Sequence, residues 1–215
     1  MASYAIKEMF LTLQGEGLQA GRRAVFIRFT GCNLWSGREE DRATADCTFC
    51  DTDFVGMNGD NGGRYGDAAA VAARAAELWA AGLEQEAPRA LAVLTGGEPL
   101  LQVDAGLIDA LHAARFDIAI ETNGTLPVPE GIDWICVSPK AGTTIVQRTG
   151  NELKLVWPQP GIDHRAMEGW DFDHLLVQPM DGSLPVDTQA ATIRFVMANP
   201  RWRLSVQTHK VVGLR

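Results

Sequence analysis

The chain has 215 residues, of which 46% are hydrophobic and 21% are charged, and its formal net charge is −8. This size and composition are typical of a globular enzyme with a sizeable core, and we expect one domain over residues 1–215. The acidic balance argues against broad binding to nucleic acids or anionic membranes. Because there is neither an 18-residue apolar run nor the hydrophobic core of a signal peptide, we expect a cytoplasmic protein without a membrane partner.

Short apolar segments alternate with helical segments along the chain. Strands are predicted over residues 5–10, 24–30, 91–95, 117–122, 134–138, 153–156, 175–178 and 203–207. Helices are predicted over residues 67–81, 103–114, 164–169 and 187–198, and loops over 36–46 and 58–66. Near-continuous apolar strands separated by helices indicate a parallel α/β sheet. Since there are too few helices for an eight-unit barrel, we expect an open, partial TIM-like barrel.

Polar motifs directly follow four of the predicted strands. They are Thr-Gly-Gly-Glu-Pro at 95–99, Glu-Thr-Asn-Gly at 121–124, Ser-Pro-Lys at 138–140 and Gln-Pro-Met-Asp at 178–181. In parallel α/β architectures, ligands bind at the carboxyl ends of the strands. The four motifs therefore predict one site at a shared edge of the sheet.

Three cysteines, Cys32, Cys47 and Cys50, are candidate metal ligands. In a reducing compartment, cysteines that include a Cys-x-x-Cys pair are metal ligands or redox groups more often than structural disulfides. A four-iron cluster held by three thiolates keeps one iron open, whereas zinc takes four Cys or His ligands, or three and a water. The cysteines alone leave both open. Cys136 lies in an apolar strand, where we expect a buried small side chain rather than a fourth ligand.

The three cysteines and the Gly-Gly-Glu-Pro stretch together resemble the radical S-adenosylmethionine (SAM) superfamily. There the cysteines hold a [4Fe–4S] cluster, and the glycine-rich stretch contacts the methionine part of SAM. The usual spacing in that superfamily is Cys-x3-Cys-x2-Cys, so the fourteen residues between Cys32 and Cys47 are a departure. Residues 37–46 can form a loop excursion between the ligands, so the resemblance still implies the same chemistry.

Within the superfamily, nearly the whole chain resembles the 7-carboxy-7-deazaguanine synthases. The resemblance lies in residues 10–17, 28–35, 50–53, 95–99, 121–124, 137–140, 178–181 and 207–210. It implies conversion of 6-carboxy-5,6,7,8-tetrahydropterin into 7-carboxy-7-deazaguanine with loss of ammonia, in queuosine and 7-deazapurine biosynthesis. It also implies that SAM is cleaved to a radical that removes hydrogen from C6 of the pterin, and that the hydrogen returns, so that SAM serves as a cofactor.

The resemblance further implies the residues of the site. The cluster ligands would be Cys32, Cys47 and Cys50, with Thr52 on Mg²⁺. The residues expected to bind SAM are Phe49, Asp51, Gly96, Gly97, Glu98, Glu121, Ser138, Pro139, Lys140, Gln178, Pro179, Met180 and Asp181. Those expected to bind the substrate are Leu13, Gln14, Gly15, Glu16, Arg28, Thr95, His209 and Arg215. A homodimer and an electron donor such as flavodoxin or ferredoxin are also implied.

Elementary chemistry supports several of these assignments, although for some residues it also allows a simpler structural role. Gln14 and Glu16 offer the donors and acceptors that a pterin edge needs, although a hairpin turn would also carry exposed polar residues. Arg28 lies in an apolar strand and needs an anion, either the substrate carboxylate or a structural partner. Glu98 suits a cationic amine, and Thr52 can complete the oxygen shell of Mg²⁺. Two adjacent glycines allow close approach of the backbone to a ligand, or form an ordinary strand-to-helix turn.

Two other functions remain open from the sequence. One is a different radical SAM enzyme, such as a glycyl-radical activase, which would act on a protein partner. The Gln-Gly-Glu-Gly loop at 14–17, the Thr-His-Lys segment at 208–210 and the lack of a cysteine-rich ferredoxin insert argue against it. The other is a non-enzymatic zinc or iron–sulfur protein, which metal analysis would distinguish.

Overall fold

A computed structural model describes residues 3–85, 89–182 and 187–214, which form one nine-stranded sheet with helices packed on it. The strands are β1 Tyr4–Leu13, β2 Arg23–Phe29, β3 Gly63–Tyr65, β4 Ala90–Gly96, β5 Phe116–Thr122, β6 Trp134–Val137, β7 Thr149–Trp157, β8 Asp171–Pro179 and β9 Trp202–Leu204. The α-helices are α1 Ala68–Ala80, α2 Ala105–Ala113, α3 His164–Met167, α4 Thr188–Ala198 and α5 Thr208–Val212. Short 3₁₀ turns cover Gly17–Gln19, Glu39–Thr44 and Pro99–Leu101.

The strand order in the sheet is β3-β1-β2-β4-β5-β6-β7-β8-β9. From β2 through β9 every neighbouring pair is parallel, whereas β1 runs antiparallel to both β2 and β3. The sheet is open because β3 and β9 are edges that do not pair with each other. This arrangement confirms the predicted partial α/β barrel.

The two faces of the sheet have different chemistry because side chains alternate along each strand. On the outer face, buried residues such as Ile27, Leu94 and Ile118 form a core with α1 and α2. A second core lies under α3 and α4, around Phe195 and Trp202. On the inner face, small or apolar residues near the strand starts give way to polar residues near the carboxyl ends. The polar half of the inner face therefore lies at the carboxyl ends of the parallel strands.

Four helices begin at an aspartate whose side chain accepts the N–H of the residue three positions later. The donors are Ala70, Leu107, Ala166 and Ala190, at 2.8, 2.9, 3.1 and 2.9 Å from Asp67, Asp104, Asp163 and Asp187. Such a cap contributes about 1 kcal/mol to stability. It explains why α2 begins at Ala105 rather than at the predicted residue 103.

The observed elements differ from the predicted ones mainly where tertiary contacts, rather than the local sequence, determine the secondary structure. β1 is antiparallel because only residues 14–22 join it to β2, too few for a parallel crossover. β3 lies in the segment 58–66, where a loop was predicted; it has three residues and is held by pairing with β1. β9 covers 202–204 instead of 203–207, and α5 was not predicted. No helix among the described residues is long and apolar enough to cross a bilayer.

Candidate active site

A cavity of about 680 Å³ lies at the carboxyl ends of the parallel strands. The structure brings most of the predicted site residues to its wall, and two of them lie elsewhere: Glu98 and Pro139 do not line it. Arg215 lies outside the described residues. The predicted residues on the wall are Leu13, Gln14, Gly15, Glu16, Arg28, Cys32, Cys47, Phe49, Cys50, Asp51, Thr52, Thr95, Gly96, Gly97, Glu121, Ser138, Lys140, Gln178, Pro179, Met180, Asp181 and His209.

One wall of the cavity carries the three cysteines. The Cys47 and Cys50 thiols are hydrogen-bonded, which lowers the pKa of Cys50 to about 6 and raises the pKa of Cys47. Burial raises the pKa of Cys32, whose Sγ accepts the N–H of Leu34 at 3.4 Å. Cys136 is buried, does not line this cavity, and has a pKa raised well above its usual range by burial. Three thiols, and not four, therefore face the cavity.

The donor set bears on which metal group would fit. Within the described part of the chain, no three Cys, His, Asp or Glu side chains are arranged to hold a single metal ion. In an iron–sulfur cluster each thiolate binds a different iron, whereas zinc takes four Cys or His ligands, or three and a water. Three thiols on one wall of the cavity are the donors that a [4Fe–4S] cluster with one open iron would need.

The long segment between Cys32 and Cys47 is an ordered loop. Its 3₁₀ turn Glu39–Thr44 carries Arg42, whose Nη1 donates to the carbonyl oxygens of Thr48 and Cys50, at 3.1 Å each. The Arg42 guanidinium also lies 4.0 Å from the centre of the Trp35 ring. The excursion therefore packs back on the segment that carries Cys47 and Cys50.

The two glycines where β4 ends serve close packing within the protein. A Cβ on Gly97 would lie 2.1 Å from the Gly31 carbonyl oxygen and 2.8 Å from Cβ of Cys32. Gly96 has φ +141°, and a Cβ there would lie 2.3 Å from the Phe29 carbonyl oxygen. Gly97 therefore approaches the loop that carries Cys32, and Gly96 approaches the end of β2. Both glycines also line the cavity, so the ligand approach suggested by the sequence stays a prediction.

Glu98 is completely buried behind the cavity wall. Its carboxylate accepts the N–H groups of Leu100 and Asn123, at 3.0 and 2.8 Å, and both of its oxygens accept the Thr122 hydroxyl at 2.9 Å. Burial raises its pKa, and these donors oppose the shift. Its partners are protein groups, so Glu98 ties the loop after β4 to the end of β5.

The floor of the cavity contains an ion cluster that the sequence reasoning missed. The Lys154 ammonium contacts carboxylate oxygens of Glu16 and Glu121, the latter at 3.3 Å. Burial raises the pKa of Glu16, but the attraction of Lys154 outweighs it and holds the pKa at about 2. Burial lowers the pKa of Lys154, but the two carboxylates raise it well above its usual range. Lys154 is a charged residue within the apolar segment 153–156, and a charge in such a segment was the signal that could have identified it. The same signal, a charge within an apolar strand, identified Arg28.

The wall formed by β1 and β2 combines charged and aromatic groups. Arg28 Nε donates to Glu8 Oε1 at 2.9 Å, so the structural partner considered from the sequence is present. The guanidinium also lines the cavity, where its other N–H groups can reach an anion. Phe10 and Phe26 stack beside it with ring centres 5.6 Å apart. This wall suits a planar ring that bears an anionic group.

Helix α5 closes one side of the cavity. The backbone N–H and the hydroxyl of Thr208 both donate to the Gly15 carbonyl oxygen, at 2.8 and 2.9 Å. The His209 ring occupies the space that a Cβ on Gly15 would need, 2.1 Å from Nδ1. Lys210 bridges Asp51 and Asp181 at 2.9 and 2.5 Å. These contacts place His209 on the cavity wall.

Lys140 is a half-buried residue on the thiol side of the cavity. It donates to the carbonyl oxygen and the hydroxyl of Ser138, at 2.7 and 2.8 Å, and lies 5.8 Å from the centre of the Phe49 ring. Burial lowers its pKa, while the nearby thiols of Cys47 and Cys50 oppose that shift. It supplies a positive charge between the thiols and the floor.

Fold and site together define an α/β partial barrel whose cavity has three thiols, candidate metal ligands, on one wall. No family model matches the chain. The 7-carboxy-7-deazaguanine synthase of Bradyrhizobium diazoefficiens is 56% identical over 213 residues, which cover 99% of this chain and 100% of that one. The enzyme of the same name from Burkholderia multivorans is 60% identical, with 99% of both chains covered. The chain belongs to the 7-carboxy-7-deazaguanine synthase family.

A solved structure supports the same relationship. The crystal structure of QueE from Escherichia coli matches with a TM-score of 0.70 and 27% sequence identity, over 96% of this chain and 95% of that one. The similarity therefore extends over nearly the whole fold.

Proposed function

We propose that the chain converts 6-carboxy-5,6,7,8-tetrahydropterin into 7-carboxy-7-deazaguanine and ammonia. The observation that carries this proposal is one cavity with a three-thiol wall and a carboxylate-rich floor, in a chain 60% identical to a synthase of that name. Loss of ammonia accounts for the whole change in composition, so the conversion needs no net oxidant or reductant. The protein therefore has to position the substrate and exclude water while the ring rearranges.

The residues present fit a [4Fe–4S] cluster and SAM. Cys32, Cys47 and Cys50 would bind three irons, which leaves the fourth open for SAM. When bound, the cluster and SAM supply the one-electron chemistry that removes a hydrogen atom from the substrate and later returns it. Lys140, Ser138 and the other predicted SAM-binding residues on the cavity wall would hold SAM between the thiols and the floor. Glu121 is the exception: it was predicted to bind SAM, but its pairing with Lys154 in the floor places it on the substrate side of this proposal.

The opposite end of the cavity would hold the pterin. The N–H groups of Arg28 other than Nε suit the substrate carboxylate, and the Phe10–Phe26 pair offers an apolar surface to the ring. Glu16 and Glu121 would accept the N–H groups of the pyrimidine edge. We also propose Mg²⁺ at the Thr52 hydroxyl, with water and the substrate carboxylate as its other ligands.

The cellular setting is proposed on the same basis. We propose a cytoplasmic homodimer that receives electrons from a flavodoxin or ferredoxin and has no nucleic-acid or membrane partner. The net charge of −8 supports the last point. Mass measurement of the native protein would test the dimer directly.

The experiment is anaerobic incubation of the reduced, reconstituted protein with SAM, Mg²⁺ and 6-carboxytetrahydropterin, with the product followed by mass spectrometry. We expect 7-carboxy-7-deazaguanine from the wild type and none from Cys32→Ala, Cys47→Ala or Cys50→Ala. Cys136→Ala is the matched control, because Cys136 lies outside the cavity, and it should retain the wild-type iron content.

The outcomes separate the remaining functions. SAM cleavage without a deazapurine would contradict the proposed substrate and favour another radical SAM reaction. Zinc without iron and sulfide in anaerobically purified protein would contradict the cluster and with it the enzyme class.

A further inference from the structure

The floor of the cavity is built around the ammonium of Lys154. Lys154 is 3% exposed and lies between Leu153 and Leu155, which are packed in the core on the outer face of β7. An ammonium buried in this way is costly unless it is paired. The groups that pair with the Lys154 ammonium therefore indicate what this buried charge does.

Those partners are two carboxylates from distant parts of the chain. Lys154 Nζ contacts Oε2 of Glu16, in the loop after β1, and Oε2 of Glu121, on β5. The second oxygen of each carboxylate accepts a side-chain amide. Gln207 Nε2 lies 2.9 Å from Glu16 Oε1, and Gln14 Nε2 lies 2.8 Å from Glu121 Oε1. Two carboxyl groups thus share one ammonium, so acidic groups outnumber basic groups in this cluster.

The same groups are accessible from the cavity, because Gln14, Glu16, Glu121 and Lys154 all line it. A carboxylate has about four lone-pair sites. Among the described residues, Lys154, Gln207 and Gln178 donate to Glu16, and Lys154 and Gln14 donate to Glu121, so the donors are fewer than the sites on both carboxylates. The floor therefore presents hydrogen-bond acceptors and negative charge to whatever binds above it. A ligand edge with several N–H donors matches that surface.

We propose that Lys154 is a positioning residue for the substrate, which keeps Glu16 and Glu121 ionised together and oriented to accept the N–H donors of the pterin's pyrimidine edge. This inference rests on the proposed function. Without the ammonium, two like charges would remain in a buried site, and one carboxylate would take up a proton. A protonated carboxyl presents an O–H donor where the ligand needs an acceptor.

Other ionisable groups face this cluster and must be held constant. They are Glu152 on β7, Cys136 on β6 and Lys140 in the loop after β6, with His209 on the same cavity wall. The Glu152 carboxylate accepts hydrogen bonds from Trp134 Nε1 and from the Leu18 N–H, at 2.8 and 3.1 Å. Since all four groups remain in every variant below, a comparison of variants over one pH series isolates the effect of Lys154.

The direct test is infrared spectroscopy of the substrate-free protein. Lys154→Met, which keeps an unbranched side chain and removes the charge, should show at neutral pH the C=O stretch of a protonated carboxylic acid that the wild type lacks. The band should be lost in Lys154→Met/Glu16→Gln, where only one carboxylate of the pair remains. If Lys154→Met does not fold, Lys154→Gln should show the same band. Its absence from the folded single variant, or its persistence in the double variant, would overturn the inference.

Binding of 6-carboxytetrahydropterin, measured anaerobically by calorimetry, tests the consequence. The affinity of Lys154→Met at pH 7 should fall by about tenfold to a hundredfold, the loss expected for a hydrogen bond to a charged group. It should recover as the pH rises, beyond any change in the wild type over the same series. A purely structural role would lower the unfolding temperature without this pH dependence. Wild-type affinity in Lys154→Met at every pH would refute the inference alone, whereas absence of binding to the wild type would refute the proposed function.

Discussion

Replacing Gly97 by alanine tests whether the absence of a side chain directly after β4 lets the cysteine loop dock on the sheet. The added Cβ would lie 2.1 Å from the Gly31 carbonyl oxygen, about 1.3 Å short of the 3.4 Å at which ordinary contact begins. The atoms in the way belong to the backbone of Gly31 and to Cβ of Cys32, so no flexible side chain can yield. The loop itself must move away from the end of β4, and Cys32 must move with it.

An extra carbon in a packed site costs about 1–3 kcal/mol. For a chain of this size, that lowers the unfolding temperature by about 2–12 °C. Because the displaced loop carries a cluster ligand, Gly97→Ala should also lose iron and sulfide after anaerobic reconstitution. Both quantities are measured on protein without SAM or substrate, so the result does not depend on turnover.

Gly66→Ala is the matched control, since a Cβ there would meet no atom within 4 Å. It should keep the wild-type unfolding temperature and iron content. If Gly97→Ala also kept both, the packing argument would be refuted. If it kept both and lost only affinity for SAM, the glycines would serve ligand approach, as the sequence first suggested.

Three further changes test other parts of the site. Glu98→Gln should lower the free energy of unfolding by about 1–3 kcal/mol in denaturant titrations, because a buried backbone N–H would then face a donor; an unchanged value would contradict its structural role. Arg42→Gln should lower the iron content after reconstitution, because the ties to the Cys50 segment are lost, and full loading would count against this. Lys154 lowers the pKa of Glu16 from the ordinary 4.5 to about 2. The ionised Glu16 carboxylate therefore contributes about 3 kcal/mol to the free energy of unfolding above pH 4.5, and this contribution is lost as the pH falls toward 2. The stability difference between wild type and Glu16→Gln should accordingly shrink over that window, and a constant difference would contradict the ion pair.

The location of the site could be predicted from the sequence because parallel strands end at a common edge. Motifs that follow strands, such as those at 95–99 and 121–124, had to meet there. What each residue does at that edge could not be read in the same way. Partners of Glu98 and of Lys154 come from other parts of the fold, including the end of β5, so their roles depend on register and on the face to which each side chain points.

The short elements were missed for a related reason. β3 has three residues and α5 has five, so neither carries a periodic pattern long enough to recognise. β3 is held by its pairing with β1, and α5 by Thr208 on Gly15 and by Lys210 on two aspartates. Their stability comes from the rest of the fold, which a local reading of the sequence does not contain.

The end of β5 connects the two halves of the cavity. Glu121 points to the floor and pairs with Lys154, whereas the next residue, Thr122, donates to Glu98 behind the thiol wall. The Asn123 side chain then donates to Asn33, beside Cys32, at 2.9 Å. Three consecutive residues thus fix the carboxylate floor, the glycine-rich loop and the cysteine loop relative to one another. A site held by a strand end in this way keeps its geometry better than one held by loops alone, and the proposed reaction requires such a fixed geometry.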